Sequence, residues 1–117
     1  DIAIVASGTA TLECAIEGTP LVACYKVSLI TWLIAKYMMK VEHSSIVNLI
    51  AEKEIVPEFL QSNMKPENIK NKLIELMNRK SDLHNQMIKN FLKIKNKLGV
   101  PGVYTKVAYE ILKATKQ

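Results

Sequence analysis

Apolar residues fall along the chain in two kinds of run. Residues 2–6 (IAIVA) and 21–25 (LVACY) are short and continuously apolar, the form of strands buried in a parallel sheet. Between them, residues 10–17 form a helical stretch that ends at Gly18, and Pro20 opens the second run. Strand, turn, helix and strand in that order make the unit from which parallel sheets are built. Beyond residue 26 strand signals are few and the spacing turns helical. Residues 28–40 (SLITWLIAKYMMK) predict a very apolar helix, most of it facing a core, with Ser28, Trp32, Lys36 and Lys40 sharing one edge at i, i+4. It is shorter than the roughly 20 residues that cross a bilayer.

A polar loop, His43-Ser44-Ser45, then leads into the apolar stretch 46–50, which contains Asn48. Pro57 introduces a short segment, 57–61 (PEFLQ), read as helical, which sets Glu58 and Gln61 on one face at i, i+3. Pro66 opens a further helix with Ile69, Leu73 and Leu76 inward. Ser81-Asp82 starts the next, with Leu83, Met87, Phe91, Ile94 and Leu98 in a stripe barely two heptads long. A stripe that short predicts packing within the chain rather than a coiled coil. Gly99, Pro101 and Gly102 break the chain, and residues 103–113 give a last helix with Val107, Ile111 and Leu112 inward.

The small residues Ser7-Gly8-Thr9 sit where the first strand feeds the first helix. Backbone N–H groups at a helix start point outward unpaired, and the helix dipole favours negative charge there. Phosphate is a natural ligand for such a turn. Glu13 lies about one helical turn further in, and a carboxylate beside a phosphate turn suits a ribose diol, since it accepts two hydroxyl hydrogen bonds. Asn48, within its apolar stretch, must be hydrogen-bonded, either as a brace for local backbone or toward a polar ligand. His43 has no carboxylate at a telling spacing and reads as structural or solvated.

An apolar share of 49% supports a packed core and excludes a disordered chain. Cys14 and Cys24, the only cysteines, read as small core residues in a reducing compartment, and no Cys/His cluster calls for a metal. The net charge of +5 divides unevenly: residues 1–62 carry −3 and residues 63–117 carry +8. That basic helical part has no aromatic residues interleaved as a stacking platform for nucleic acid, so a solvated lysine-rich surface is the expectation. Asp1 stands directly before a buried-type strand, with no leader or initiator methionine. The chain therefore reads as the C-terminal piece of a longer protein.

The run Glu13-Cys-Ala-Ile-Glu-Gly18-Thr-Pro20, an E-x-x-x-x-G-x-P pattern after Ser7-Gly8-Thr9, resembles the nucleotide-sugar half of GT-B glycosyltransferases. A longer stretch, ASGTATLECAIEGTPLVACYK, then LITWLIAK, then SSIVNLIAEKEIVPEFLQ, resembles the lipid-A-disaccharide synthase family. The resemblance implies an α/β fold, the C-terminal Rossmann-like half of a GT-B architecture, mostly helical after residue 26. It implies a donor domain over residues 1–102, incomplete at its N-terminal side, and a terminal helix over 103–117 that crosses to an N-terminal domain outside this chain. The implied reaction joins UDP-2,3-diacylglucosamine to 2,3-diacylglucosamine 1-phosphate, with inversion and release of UDP, in lipid A biosynthesis.

By the same resemblance, Ser7, Gly8, Thr9 and Glu13 hold the donor, and Asn48, Glu58 and Gln61 belong to the cleft. The general base is expected in the N-terminal domain, so no residue of this chain is assigned to it. Val47 stands where the family commonly has proline. No cofactor and no metal are implied. The implied partners are the UDP-sugar donor, the acylated glucosamine phosphate acceptor, an anionic membrane surface, the chain's own N-terminal domain and another copy in an oligomer. Nucleic acid is not among them. The implied location is cytoplasmic, peripheral at the bacterial inner membrane. Two other readings stand beside this one. The first is a UDP-N-acetylglucosamine 2-epimerase-like enzyme, although that family has Ser-Gly-Gly and paired glutamates where this chain has Ser-Gly-Thr and Glu13. The second is a non-catalytic basic helical module.

Overall fold

A computed structural model describes residues 1–6, 8–38 and 43–115, and the side chains of Trp32, Ala35, Lys36 and Met38 lie outside the described set. Three parallel strands, β1 (Ala3–Ala6), β2 (Leu21–Tyr25) and β3 (Glu58–Leu60), form a sheet in the order β1-β2-β3. The register pairs Ala3 with Leu21 and Ala6 with Cys24, then Ala23 with Glu58 and Tyr25 with Leu60. Helix α1 (Thr9–Glu17) joins β1 to β2, and α2 (Leu29–Met38) and α3 (Ile46–Ala51) lie between β2 and β3. A 3₁₀ turn at Gln61–Asn63 leads to α4 (Pro66–Met77), α5 (Asp82–Leu98) and α6 (Val103–Thr115). This is a mixed α/β fold with a small parallel sheet and mostly helix after residue 26.

Central strand β2 is the most buried, with Leu21, Val22 and Ala23 sealed from solvent. Helices α1, α3 and α5 pack together, and α4 packs on β2 and α5. From α5, Met87, Phe91 and Ile94 enter the core, and the Met87 thioether accepts the Leu21 N–H at 3.4 Å. The stripe thus packs within the chain, although its last member, Leu98, is exposed. Helix α1 ends at Gly18 in the left-handed region (φ 72°), where Gly18 N–H reaches the Ala15 carbonyl and Thr19 N–H the Cys14 carbonyl. Paired bonds of this kind satisfy the last free carbonyls of a helix and require a residue without a Cβ penalty.

Three expectations are corrected. Residues 58–60 are a strand, not part of a helix, so Glu58 and Gln61 do not share a helical face. Pro57 is buried and its carbonyl accepts the Ala23 N–H at 2.9 Å, so the proline begins a strand at the sheet edge, where its missing N–H leaves no gap. The described apolar side chains of α2 face solvent rather than a core: Leu29, Ile30, Leu33, Ile34 and Tyr37 are all exposed. Likewise Val107, Ile111 and Leu112 of α6 are exposed, as is every described residue of that helix. In α2 and α6 the apolar periodicity is real, but no described element covers it.

Candidate functional site

All three strands point the same way, so their carboxyl ends lie along one edge of the sheet. In open parallel sheets that edge is where ligands bind. At the end of β1 the chain turns into α1 through Gly8, whose φ of 145° lies in a region that glycine alone occupies comfortably. Gly8 is the N-cap, and among the described residues no side chain caps the helix start. A Cβ built on Gly8 would meet nothing within 4 Å, so the turn opens onto free space. The fixed contact here faces inward: the Thr11 hydroxyl, fully buried, donates to the Gly8 carbonyl at 2.7 Å. On the opposite side Thr9 and Glu13 are exposed and one turn apart on a shared face. Ser7, expected to complete this turn, lies outside the described residues.

A second cluster forms between α3 and β3. The Glu58 carboxylate accepts from the Ser44 N–H (2.9 Å) and hydroxyl (2.6 Å) on one oxygen. Its other oxygen accepts from the Ser45 N–H (3.0 Å), the Ser45 hydroxyl (2.8 Å) and the Asn48 amide (2.7 Å). Burial alone would push this carboxyl up, but the four bonds from Ser44 and Ser45 outweigh it and hold the pKa below the ordinary carboxylate value. Asn48 is fully buried and fully used. Its amide nitrogen donates also to the Val56 carbonyl (2.8 Å), and its oxygen accepts from the N–H groups of Ile55 (2.8 Å) and Val56 (2.9 Å). Of the two roles open to a buried Asn, this geometry is the brace: α3 is pinned to the strand that follows it. The Ser45 hydroxyl also caps α3 by accepting the Asn48 N–H at 3.3 Å.

Gln61 stands at the carboxyl end of β3 with a positive φ of 46°. Its amide donates to the Val27 carbonyl at 3.1 Å, tying the ends of β3 and β2 together. The candidate residues therefore fall into the turn from β1 into α1 with the first turn of that helix (Gly8, Thr9, Glu13), a clamp of buried Asn48 and half-buried Glu58, and a tie at the end of β3 (Gln61). Sequence reading missed the two serines of the clamp. The signal was present as adjacent hydroxyls directly before a helix, a capping pattern, but their carboxylate partner is a residue of the unforeseen strand. Cys14 and Cys24 are free thiols, and burial raises the Cys24 pKa.

Residues 1–101 match the family described as lipid-A-disaccharide synthetase. The chain is 44% identical over 99 residues to a lipid-A-disaccharide synthase of Rickettsia prowazekii, covering 85% of this chain and 26% of the relative. It is 36% identical over 117 residues to one from Syntrophus aciditrophicus, covering 100% of this chain and 30% of the relative. It is 39% identical over 118 residues to one from Prochlorococcus marinus, covering 99% and 30%. The chain thus spans less than a third of the length of these curated relatives.

Proposed function

The chain belongs to the lipid-A-disaccharide synthetase family, and from that premise we propose that it is the donor-binding part of an inverting UDP-sugar-dependent hexosyltransferase. The proposed reaction joins UDP-2,3-diacylglucosamine to 2,3-diacylglucosamine 1-phosphate and releases UDP, a step of lipid A biosynthesis. The observation that carries the reading is the turn at Gly8, which no described side chain caps. It opens to free space at the ligand edge of a parallel sheet, one turn from an exposed carboxylate.

In this reading Gly8 and Thr9 offer backbone N–H groups to the diphosphate, whose charge the start of α1 stabilises. Ser7 joins them, and Glu13 accepts from the ribose hydroxyls. Asn48 and Glu58 act as positioning residues that fix the 43–45 loop, and Gln61 holds the ends of β2 and β3 in register. Residues 1–102 form a GT-B donor domain, and residues 103–117 reach toward the N-terminal domain. That domain supplies the general base, an acidic side chain, and binds the acceptor. The enzyme works at the cytoplasmic face of the inner membrane, where acylated substrates lie.

The test is a product assay on the full-length protein. Tetraacylated disaccharide and UDP should appear together and only when both sugars are supplied. An epimerised UDP-sugar formed without acceptor would replace this reading with the epimerase one. Residues 1–117 supplied alone should form no disaccharide, and product from them would refute the assignment of the base to another domain.

A further inference from the structure

Three residues end the strands at the ligand edge of the sheet: Ala6 on β1, Tyr25 on β2 and Leu60 on β3. Of these only Tyr25 carries a hydrogen-bonding group on its side chain. The β1–β2 register ends with Ala6 beside Cys24, and Gly8, the N-cap of α1, follows Ala6 by two residues. Tyr25 therefore stands one residue past the last paired residue of β1, next to the place where that strand gives way to the turn. Neighbouring strands lie about 4.8 Å apart, a gap that a tyrosine side chain spans.

Tyr25 is 41% exposed, although it ends the most buried strand. Its hydroxyl has no hydrogen-bond partner among the described residues. Two polar neighbours, by contrast, are bonded within the protein: Gln61 donates to the Val27 carbonyl, and the Ser28 hydroxyl pairs with that of Thr31 at 2.8 Å. Lys26, the next residue along, is an exposed cation that draws anions toward the same end of β2. A nucleoside diphosphate brings two phosphoryl groups to this edge. The start of α1 suits one of them, and the second needs a donor beside the turn.

We propose that the Tyr25 hydroxyl donates a hydrogen bond to the outer phosphoryl group of a bound nucleoside diphosphate sugar, the group that departs with UDP. The proposal rests on the donor reading above and names the side chain that tells a diphosphate from a monophosphate there. In the transfer, the bond from the sugar C1 to the outer phosphate oxygen breaks and its electron pair passes to that oxygen. The new bond forms from the acceptor hydroxyl, whose proton goes to the base assigned to the other domain. The phenol keeps its own proton. Negative charge grows on the departing phosphate, so a donor placed there holds the transition state more strongly than the bound donor sugar.

Calorimetric titration of the full-length protein with UDP and with UMP tests this on wild type, Tyr25→Phe and Glu13→Ala. Tyr25→Phe should bind UDP about tenfold or more weakly, the loss of one hydrogen bond to a charged group, and should bind UMP as wild type does. Glu13→Ala should weaken both nucleotides alike, since both carry the ribose. Turnover of Tyr25→Phe in disaccharide formation should fall as well. Its melting temperature should stay near wild type, because the hydroxyl makes no bond to the described protein. Equal loss for UDP and UMP in Tyr25→Phe, or loss for neither, overturns the proposal. If Glu13→Ala still shows its loss, the donor reading survives that result and only the tyrosine's part falls. A wild-type protein that binds neither nucleotide removes the donor reading, and the proposal with it.

Discussion

Glu58 is the residue that makes the corner between α3 and β3 sensitive to pH. Its folded pKa lies below the ordinary value of 4.5, so its contribution to stability is fully present above about pH 4.5. That contribution is lost as pH falls from there through the folded value, where protonation removes the charge and turns one of the two accepting oxygens into a donor facing other donors. Glu58→Gln should therefore destabilise the full-length protein by about 1.5–3 kcal/mol at pH 7, read as a shift in the denaturant midpoint. The gap from wild type should narrow as the pH drops below 4.5. A gap that stays constant would show that the carboxylate is not the stabilising form. Asn48→Ala leaves two N–H groups and a carbonyl of residues 55 and 56 unpaired and should cost about 2 kcal/mol or more. Asn48→Asp keeps the acceptor but sets a second carboxylate 2.7 Å from Glu58, so it should be no milder than alanine. Sequence alone showed that Asn48 needed partners, because an amide sits within an apolar stretch. It did not show which partners, because the deciding ones, Glu58 and the backbone of 55–56, approach only once β3 has paired with β2.

Elements were legible where local chemistry and tertiary packing agree. The unit β1–α1–β2 follows from two apolar runs, a glycine stop and a proline, and the αL geometry at Gly18 is what that glycine is for. Gly18→Ala should cost about 1 kcal/mol, since only the backbone conformation is penalised and a Cβ would meet open space. β3 was not legible, because three residues after a proline satisfy a helix start as well as a strand, and only pairing with Ala23, Cys24 and Tyr25 decides. The faces of α2 and α6 were not legible either, because periodicity tells which residues share a side but not whether anything covers it. The lysines of the basic half have a partly structural use that sequence did not show. Lys95 donates to the Ile16 carbonyl at 3.3 Å and Lys97 to the Ile50 carbonyl at 3.0 Å, so α5 places a cation at the carboxyl end of both α1 and α3. Lys95→Ala and Lys97→Ala should each lower stability by about 0.3–1 kcal/mol, and less in high salt. Alanine at the neighbouring Lys93 makes a suitable reference.

At the scale of the whole molecule, the radius of gyration is 17.2 Å, against about 13 Å for a compact domain of this length. The excess accords with α2 and α6, whose described apolar side chains have no cover. The edge proposed to bind the donor does not depend on them: Gly8, Thr9 and Glu13 stand on the β1–α1–β2 unit, held from below by buried Thr11 and Ala15. The central claim is that this edge binds the nucleotide. The direct measurement is hydrogen exchange of the full-length protein with and without UDP, paired with UDP titration of Glu13→Ala. UDP should protect the segment from residue 6 to residue 13, and Glu13→Ala should weaken UDP binding about tenfold to a hundredfold through loss of charge-assisted bonds, with thermal stability nearly unchanged because the side chain is exposed. Protection confined to other segments, with the affinity of Glu13→Ala equal to wild type, would contradict it.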